Sequence, residues 1–310
     1  MTADIAASIR ARLRNLARER GEAVDLVHVR YANQRLLQRL TASGHRERFL
    51  LKGATLFLVW SEVPHRPTRD LDMLGFGESD PASMEALFKS LCDRAPAPDG
   101  LHFLADSVRA ATIRDAQEYT GVRVTLTALL GRSRIPVQVD VGFGDDVFPP
   151  PREFVLPGLL GFPELSLRAY PPEAVIAEKT QAMVDLGMAN SRMKDFYDVM
   201  ALAEKMEFRG DVLTESLRRT FSRRRTVVPA SPPLALTPAF STDREKQIQW
   251  EAFKGRHGLL GPSLVETVET LCGFLLPPLR AAAGTAPVPG FWTAGGPWDG
   301  PLSLPDDEQT

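Results

Sequence analysis

Apolar residues recur at helical spacing from the start of the chain. Ile5, Ile9, Leu13 and Leu16 fall on one face, and Gly21 supplies a stop, so the chain opens with an amphipathic helix. A second helical pattern runs from about Val24 to Leu40 and ends at Ser43-Gly44. Phe49-Leu50-Leu51-Lys52-Gly53 then leads into a short apolar helix from Ala54 to Trp60. At Arg69 the period changes. Asp70-Leu71-Asp72-Met73-Leu74, Val122-Arg123-Val124-Thr125-Leu126 and Ile135-Pro136-Val137-Gln138-Val139-Asp140-Val141 read as strands, the last two in strict alternation. Between the first two, Met84, Leu87, Phe88 and Leu91 make one face of a helix within Pro81 to Arg94. After Tyr170-Pro171-Pro172-Glu173 the pattern turns helical and stays so, over Glu173 to Leu186, Arg192 to Lys205, Asp211 to Phe221, Asp243 to Lys254 and Ser263 to Leu279. A proline-rich connector, Val228 to Pro238, divides that half. The predicted organisation is an N-terminal helical segment over 1–48, a mixed α/β core over 49–170, a helical domain over 171–282 and a disordered Pro/Gly-rich tail over 283–310.

Composition narrows the class. The 310 residues are 44% hydrophobic and 25% charged, as expected for a globular protein with a sizeable core. Cys92 and Cys272 lie far apart with no CxxC or CxxH pattern, which argues against a disulfide framework or zinc site and makes the cytoplasm the default compartment. Arginines interrupt the apolar residues of the N-terminus, so no secretory signal is expected. No run of about 18 apolar residues predicts a membrane span. The net charge of −2 excludes a globally basic nucleic-acid binder, yet arginine gathers at Arg10, Arg12, Arg14, Arg18 and Arg20, and again at Arg218, Arg219, Arg223, Arg224 and Arg225. The second group either tracks RNA phosphates or decorates a solvated helix end.

Candidate chemistry centres on carboxylates. Residues i and i+2 of a strand share a face, so Asp70 and Asp72 stand side by side with Leu71 turned the other way. Such a pair suits magnesium, which takes one or two protein carboxylates and keeps its other positions for water and phosphate. Asp140, on another strand, is placed to orient or deprotonate an attacking hydroxyl and to share a second metal. A DxD pair also occurs in glycosyltransferases and metal-dependent nucleases, and acidic pairs end many strands without function. Gly53 and Thr55 at a helix start offer a place for phosphates, though the same glycine is also a plain strand breaker. Lys179 is either a point charge for triphosphate oxygens or a snorkelling surface lysine, and Asp195 and Asp198 share one face of the following helix. Lys194 and Asp198 are also spaced for an ordinary ion pair.

In order along the chain, Phe49-Leu50-Leu51-Lys52-Gly53, Arg66-Pro67-Thr68-Arg69-Asp70-Leu71-Asp72, Val137 to Asp145, Ala177-Glu178-Lys179 and Lys194-Asp195-Phe196-Tyr197-Asp198 resemble the motifs of the AbiEii/AbiGii toxin family of nucleotidyltransferases. The resemblance spans about Ile5 to Leu279. It implies a polymerase-beta-like nucleotidyltransferase core with a mixed sheet, N-terminal helices and a helical C-terminal part. It further implies transfer of a nucleoside monophosphate, preferentially from CTP or UTP, to the 3′ end of tRNA, which blocks aminoacylation. The implied partner is a winged-helix antitoxin. Carried over, the motifs make Asp70 and Asp72 ligands of Mg2+ or Mn2+, to which the strand reading adds Asp140, and make Lys179 and Asp195 members of the catalytic set. Gly53, Thr55, Thr68, Arg69, Lys194 and Asp198 line the nucleotide, and Thr68 is a candidate for regulatory phosphorylation. One departure stands out: many nucleotidyltransferases carry Gly-Ser in the first motif, whereas Gly53 is followed here by Ala54, with Thr55 next as the candidate hydroxyl. Nucleotide transfer to a protein hydroxyl, and a catalytically silent antitoxin- or RNA-binding module, are the alternatives.

Overall fold

The strand periods of the sequence come together in one mixed sheet. The structure, a computed structural model, describes residues 2–61, 65–94, 97–114 and 120–302. They fall into two units, Met1–Asp145 with Pro151–Tyr170, and Asp146–Pro150 with Pro171–Thr310. The first contains helices α1 (Thr2–Arg20), α2 (Val24–Thr41), α3 (Leu56–Ser61) and α4 (Pro81–Cys92). Its strands are β1 (Phe49–Lys52), β2 (Asp70–Gly75), β3 (Leu101–Arg114), β4 (Thr120–Leu130), β5 (Ser133–Phe143), β6 (Arg152–Leu156) and β7 (Leu165–Ala169). The sheet order is β3-β4-β5-β2-β1-β7-β6, with β2 parallel to β5 and β1 parallel to β7 and the other neighbours antiparallel.

Helix α2 packs on β5 and β7, with α1 and α4 beside it. Its sides are buried nearly all round, which is why it carries buried polar residues as well as Leu36, Leu37 and Leu40. Asn33 donates from Nδ2 to the Arg69 carbonyl at 3.0 Å, tying the segment ahead of β2 to this helix. The buried line of α1 is Ala6, Ile9, Leu13 and Ala17, one residue off the expected Ile5 and Leu16 at its ends, which are only partly buried. In β5, Ile135, Val137, Val139 and Val141 are buried, while Gln138 and Asp140 lie on the opposite, partly accessible face. That polar face carries the candidate chemistry.

The second unit contains α5 (Pro172–Leu186), α6 (Met193–Lys205), α7 (Gly210–Arg223), α8 (Pro238–Ser241), α9 (Arg244–His257) and α10 (Leu264–Ala282), with short strands β8 (Phe208–Arg209) and β9 (Phe291–Trp292). Helix ends follow side-chain capping rules: Asp243 caps α9, and Ser263 with Glu266 forms a capping box on α10. The expected disordered tail is corrected by the structure up to residue 302. Strand β9 pairs with β8, Trp292 is buried, and its indole N–H donates to the Ala203 carbonyl at 2.8 Å. Trp298 stacks on Phe274 at 5.9 Å and donates to the Phe274 carbonyl at 3.0 Å. The prolines and glycines of this segment therefore shape turns over an aromatic cluster. Residues 303–310 of the expected tail lie outside the described residues.

Candidate active site

Register across four strands assembles the site in the first unit. Lys52 of β1 is opposite Asp72 of β2, Asp72 is opposite Asp140 of β5, and Asp140 is opposite Arg123 of β4. The row thus reads cation, carboxylate, carboxylate, cation. Asp70, two residues before Asp72, stands opposite Gln138 on the same face. Like charges directly opposite one another in a sheet are destabilising, so Asp72 beside Asp140 requires compensation from its flanks. Arg123 supplies part of it: Nε and Nη2 donate to the two oxygens of Asp140, each at 2.8 Å, and Gln138 Nε2 adds contacts of 3.4 and 3.3 Å. Bonding to Asp140, with the charges of Asp140, Asp70 and Asp72, raises the Arg123 pKa above its ordinary value. The structure therefore brings all three predicted aspartates into the field of one guanidinium. At the other end of the row, Lys52 Nζ is 3.0 Å from Asp145, whose carboxylate also accepts from the Tyr170 hydroxyl at 3.4 Å.

Gly53 passes close beside Asp72. Its φ is +73°, and a Cβ built there would lie 2.6 Å from both Cβ and Cγ of Asp72 and overlap the carboxylate. Only glycine lets the backbone pass so near this side chain. Thr55 is buried in the 3-10 turn that follows and lines a small cleft with Thr68, Asn33, Arg30, Arg66 and Leu71. The Thr68 hydroxyl makes a long contact of 3.5 Å to the Asp70 carbonyl. Arg69, expected near the nucleotide, is exposed and ion-paired with Asp25.

The second unit gathers the remaining motif residues. Lys179 of α5 reaches Asp195 at 2.7 Å and Asp198 at 2.9 Å, both fully buried on α6, and Arg192 meets Asp195 at 2.7 Å. Burial pushes the Asp195 carboxyl up, but the charges of Lys179 and Arg192 outweigh it and hold the group below the usual carboxylate range. Asp198 thus pairs across to α5, while Lys194 faces solvent. Of the five C-terminal arginines, Arg218 and Arg219 share Glu215, and Arg219 also lies 4.4 Å from the Phe148 ring centre. Arg224 is 3.4 Å from Glu178 and donates to Gln181 at 3.0 Å. Arg223 and Arg225 are exposed at the end of α7.

Among the described residues, no three His, Cys, Asp or Glu side chains form a ready-made metal centre. The donor chemistry of Asp70 and Asp72 still fits a hard divalent ion that keeps most of its coordination sphere for water and phosphate. The backbone of Gly53 passes close beside one of those carboxylates. Arg123 engages both oxygens of Asp140, the carboxylate expected to serve as base or shared ligand. Sequence reading missed Arg123, Lys52, Asp145 and Arg192 as site residues. The available signal was slight: a lone charge amid the apolar alternation of Val122 to Leu126, whose meaning depends on register with β5.

A family model described as the nucleotidyl transferase AbiEii toxin of a type IV toxin–antitoxin system matches residues 35–283. Two solved Helicobacter pylori structures are similar to the chain. One is JHP933, at 15% identity and a TM-score of 0.46, covering 84% of this chain and 91% of its own. The other is described provisionally as a nucleotidyltransferase, at 16% identity and a TM-score of 0.48, covering 84% of this chain and 94% of its own. No curated protein matches the sequence. No helix among the described residues is long and apolar enough to cross a membrane.

Proposed function

The chain belongs to the AbiEii nucleotidyltransferase toxin family, and on that premise we propose that it transfers a nucleoside monophosphate, by preference from CTP or UTP, to the 3′-hydroxyl of tRNA and so blocks aminoacylation. The family implies a toxin-like nucleotidyltransferase with a nucleoside triphosphate substrate and an antitoxin partner. The winged-helix character of that partner, regulatory phosphorylation of Thr68 and a cytoplasmic setting belong to the same proposal.

The observation that carries the reaction is the register row, which sets Asp72 beside Asp140 with Asp70 on the same face. Asp70 and Asp72 would hold Mg2+ or Mn2+. When bound, the ion neutralises phosphate charge and makes the attacking hydroxyl more acidic. Asp140 orients that hydroxyl or takes its proton. The 3′-oxygen bonds to the α-phosphorus as the α–β phosphoanhydride breaks, and the electron pair leaves with pyrophosphate. Catalysis then rests on positioning and charge neutralisation, with no covalent enzyme intermediate.

The test is to incubate the purified protein with total RNA, Mg2+ and each labelled nucleoside triphosphate in turn. Label in tRNA is expected with CTP or UTP, and none in tRNA whose terminal ribose has been oxidised. Label in protein would instead identify a protein hydroxyl as acceptor, and a purine preference would remove the pyrimidine assignment. Asp70→Asn and Asp72→Asn are each expected to abolish transfer while leaving the circular dichroism spectrum unchanged; full activity in either would overturn the site.

A further inference from the structure

Arg123 projects from β4 onto the face that carries Asp70, Asp72 and Asp140, and its planar guanidinium meets Asp140 fork on fork at 2.8 Å for both bonds. Gln138, two residues before Asp140 on β5, reaches the same oxygens at 3.4 and 3.3 Å. Asp140 is therefore held by donors from two strands, its side chain only 18% exposed, whereas Arg123 is 43% exposed. The charges of Asp70 and Asp72 also act on this guanidinium, so it serves the whole carboxylate group as a cation.

A divalent ion entering the same group would face that positive charge. We propose that Arg123 is a positioning residue which competes with the divalent cation for Asp140, so that the ion is bound weakly by the protein alone and firmly only when the negative charge of a triphosphate draws Arg123 off the carboxylate. This rests on the reading that Asp70 and Asp72 hold the ion. Nucleotide and metal would then load together, and Arg123 would pass from a carboxylate to a phosphate, both of which suit its bidentate geometry.

The test is a titration of the full chain with Mn2+ in the absence of nucleotide, following free Mn2+ by electron paramagnetic resonance. Arg123→Gln is expected to bind Mn2+ about tenfold more tightly than wild type, the order that follows from removing a unit charge near a divalent ion at a solvent-accessible site. With CTP or UTP present, the same variant is expected to show a raised KM for nucleotide. A purely structural role for Arg123 would weaken metal binding or leave it unchanged, and either result overturns the proposal. If Arg123→Gln does not fold, Arg123→Met, which removes the charge but keeps an unbranched side chain along the strand face, must show a gain of the same order. Asp72→Asn separates the two failures. Wild-type Mn2+ affinity in Asp72→Asn would refute the metal site itself. Loss of binding there, with no gain in the Arg123 variants, would refute only the competition.

Discussion

Gly53 occupies a position where one methyl group decides whether Asp72 can stay in line. Alanine there is strained by roughly 1–2 kcal/mol, because the left-handed backbone region brings Cβ against the following carbonyl. The greater effect is on the carboxylate, which an added Cβ would overlap. Gly53→Ala is therefore expected to melt only modestly below wild type while transfer falls about a hundredfold, the usual consequence of displacing a reacting group by about 1 Å. Melting temperature and single-turnover rate, measured on one preparation, check the two halves. A rate close to wild type would mean that Asp72 does not stand at the reaction centre. Asp140→Asn probes the neighbouring residue differently: the amide cannot accept both Arg123 bonds, so residual activity would mark Asp140 as an orienting group and complete loss would mark it as the base.

Helices α5 and α6 are held by charge as well as by apolar packing. Lys179 spans two fully buried carboxylates, and removing one partner of a buried pair costs about 3–5 kcal/mol because the remaining charge is left uncompensated. Lys179→Met should lose stability of that order at neutral pH. The lowered Asp195 pKa sets the sign of its pH dependence: its contribution is present above the unfolded carboxyl value near about pH 4 and is lost as pH falls through the folded value. The gap between wild type and variant in urea unfolding should therefore narrow on the acid side. A gap that does not change with pH would show that lost packing, not lost charge, is responsible. At this scale the sequence was readable where local pattern decides the outcome. The expected helices Val24 to Leu40, Glu173 to Leu186 and Ser263 to Leu279 match α2, α5 and α10 within a few residues, because each buries a face that recurs at helical spacing. The strands β6 and β7 have five residues each, too few for a period to declare itself, and β3 changes register between Leu104 and Arg109, which breaks its alternation. The aspartates could be picked out singly, but their alignment with Lys52 and Arg123 arises from strand pairing between distant segments, as does the burial of Trp292 against α6 and α10. Proline and glycine around Trp292 have the composition of a flexible tail, and only long-range contacts distinguish the two.

Across the whole molecule, a net charge of −2 leaves room for a local basic surface, and the ion pairs of the second unit indicate which arginines can supply it. Arg218 and Arg219 are partly neutralised by Glu215, and Arg224 is turned toward Glu178 and Gln181. An arginine already matched by a carboxylate releases few counterions when a phosphate approaches, because the two anions compete for it. Arg225 is exposed just past the C-terminal end of α7, where it adopts a positive φ of 50° as the chain leaves the helix. If this end of the helix follows the RNA backbone, the variant Arg225→Ala should flatten the plot of log affinity against log salt by about 0.7 for a single-stranded acceptor end, or about 0.9 for duplex, one phosphate contact being lost. Arg218→Ala/Arg219→Ala should change the slope much less. Fluorescence anisotropy with labelled tRNA over a salt series measures both, and the affinity for free nucleotide serves as the control that should not move. A larger effect from Arg218 and Arg219 would place the phosphate track on the exposed side of α7 near Glu215, and an unchanged slope in both variants would remove α7 from the RNA path altogether.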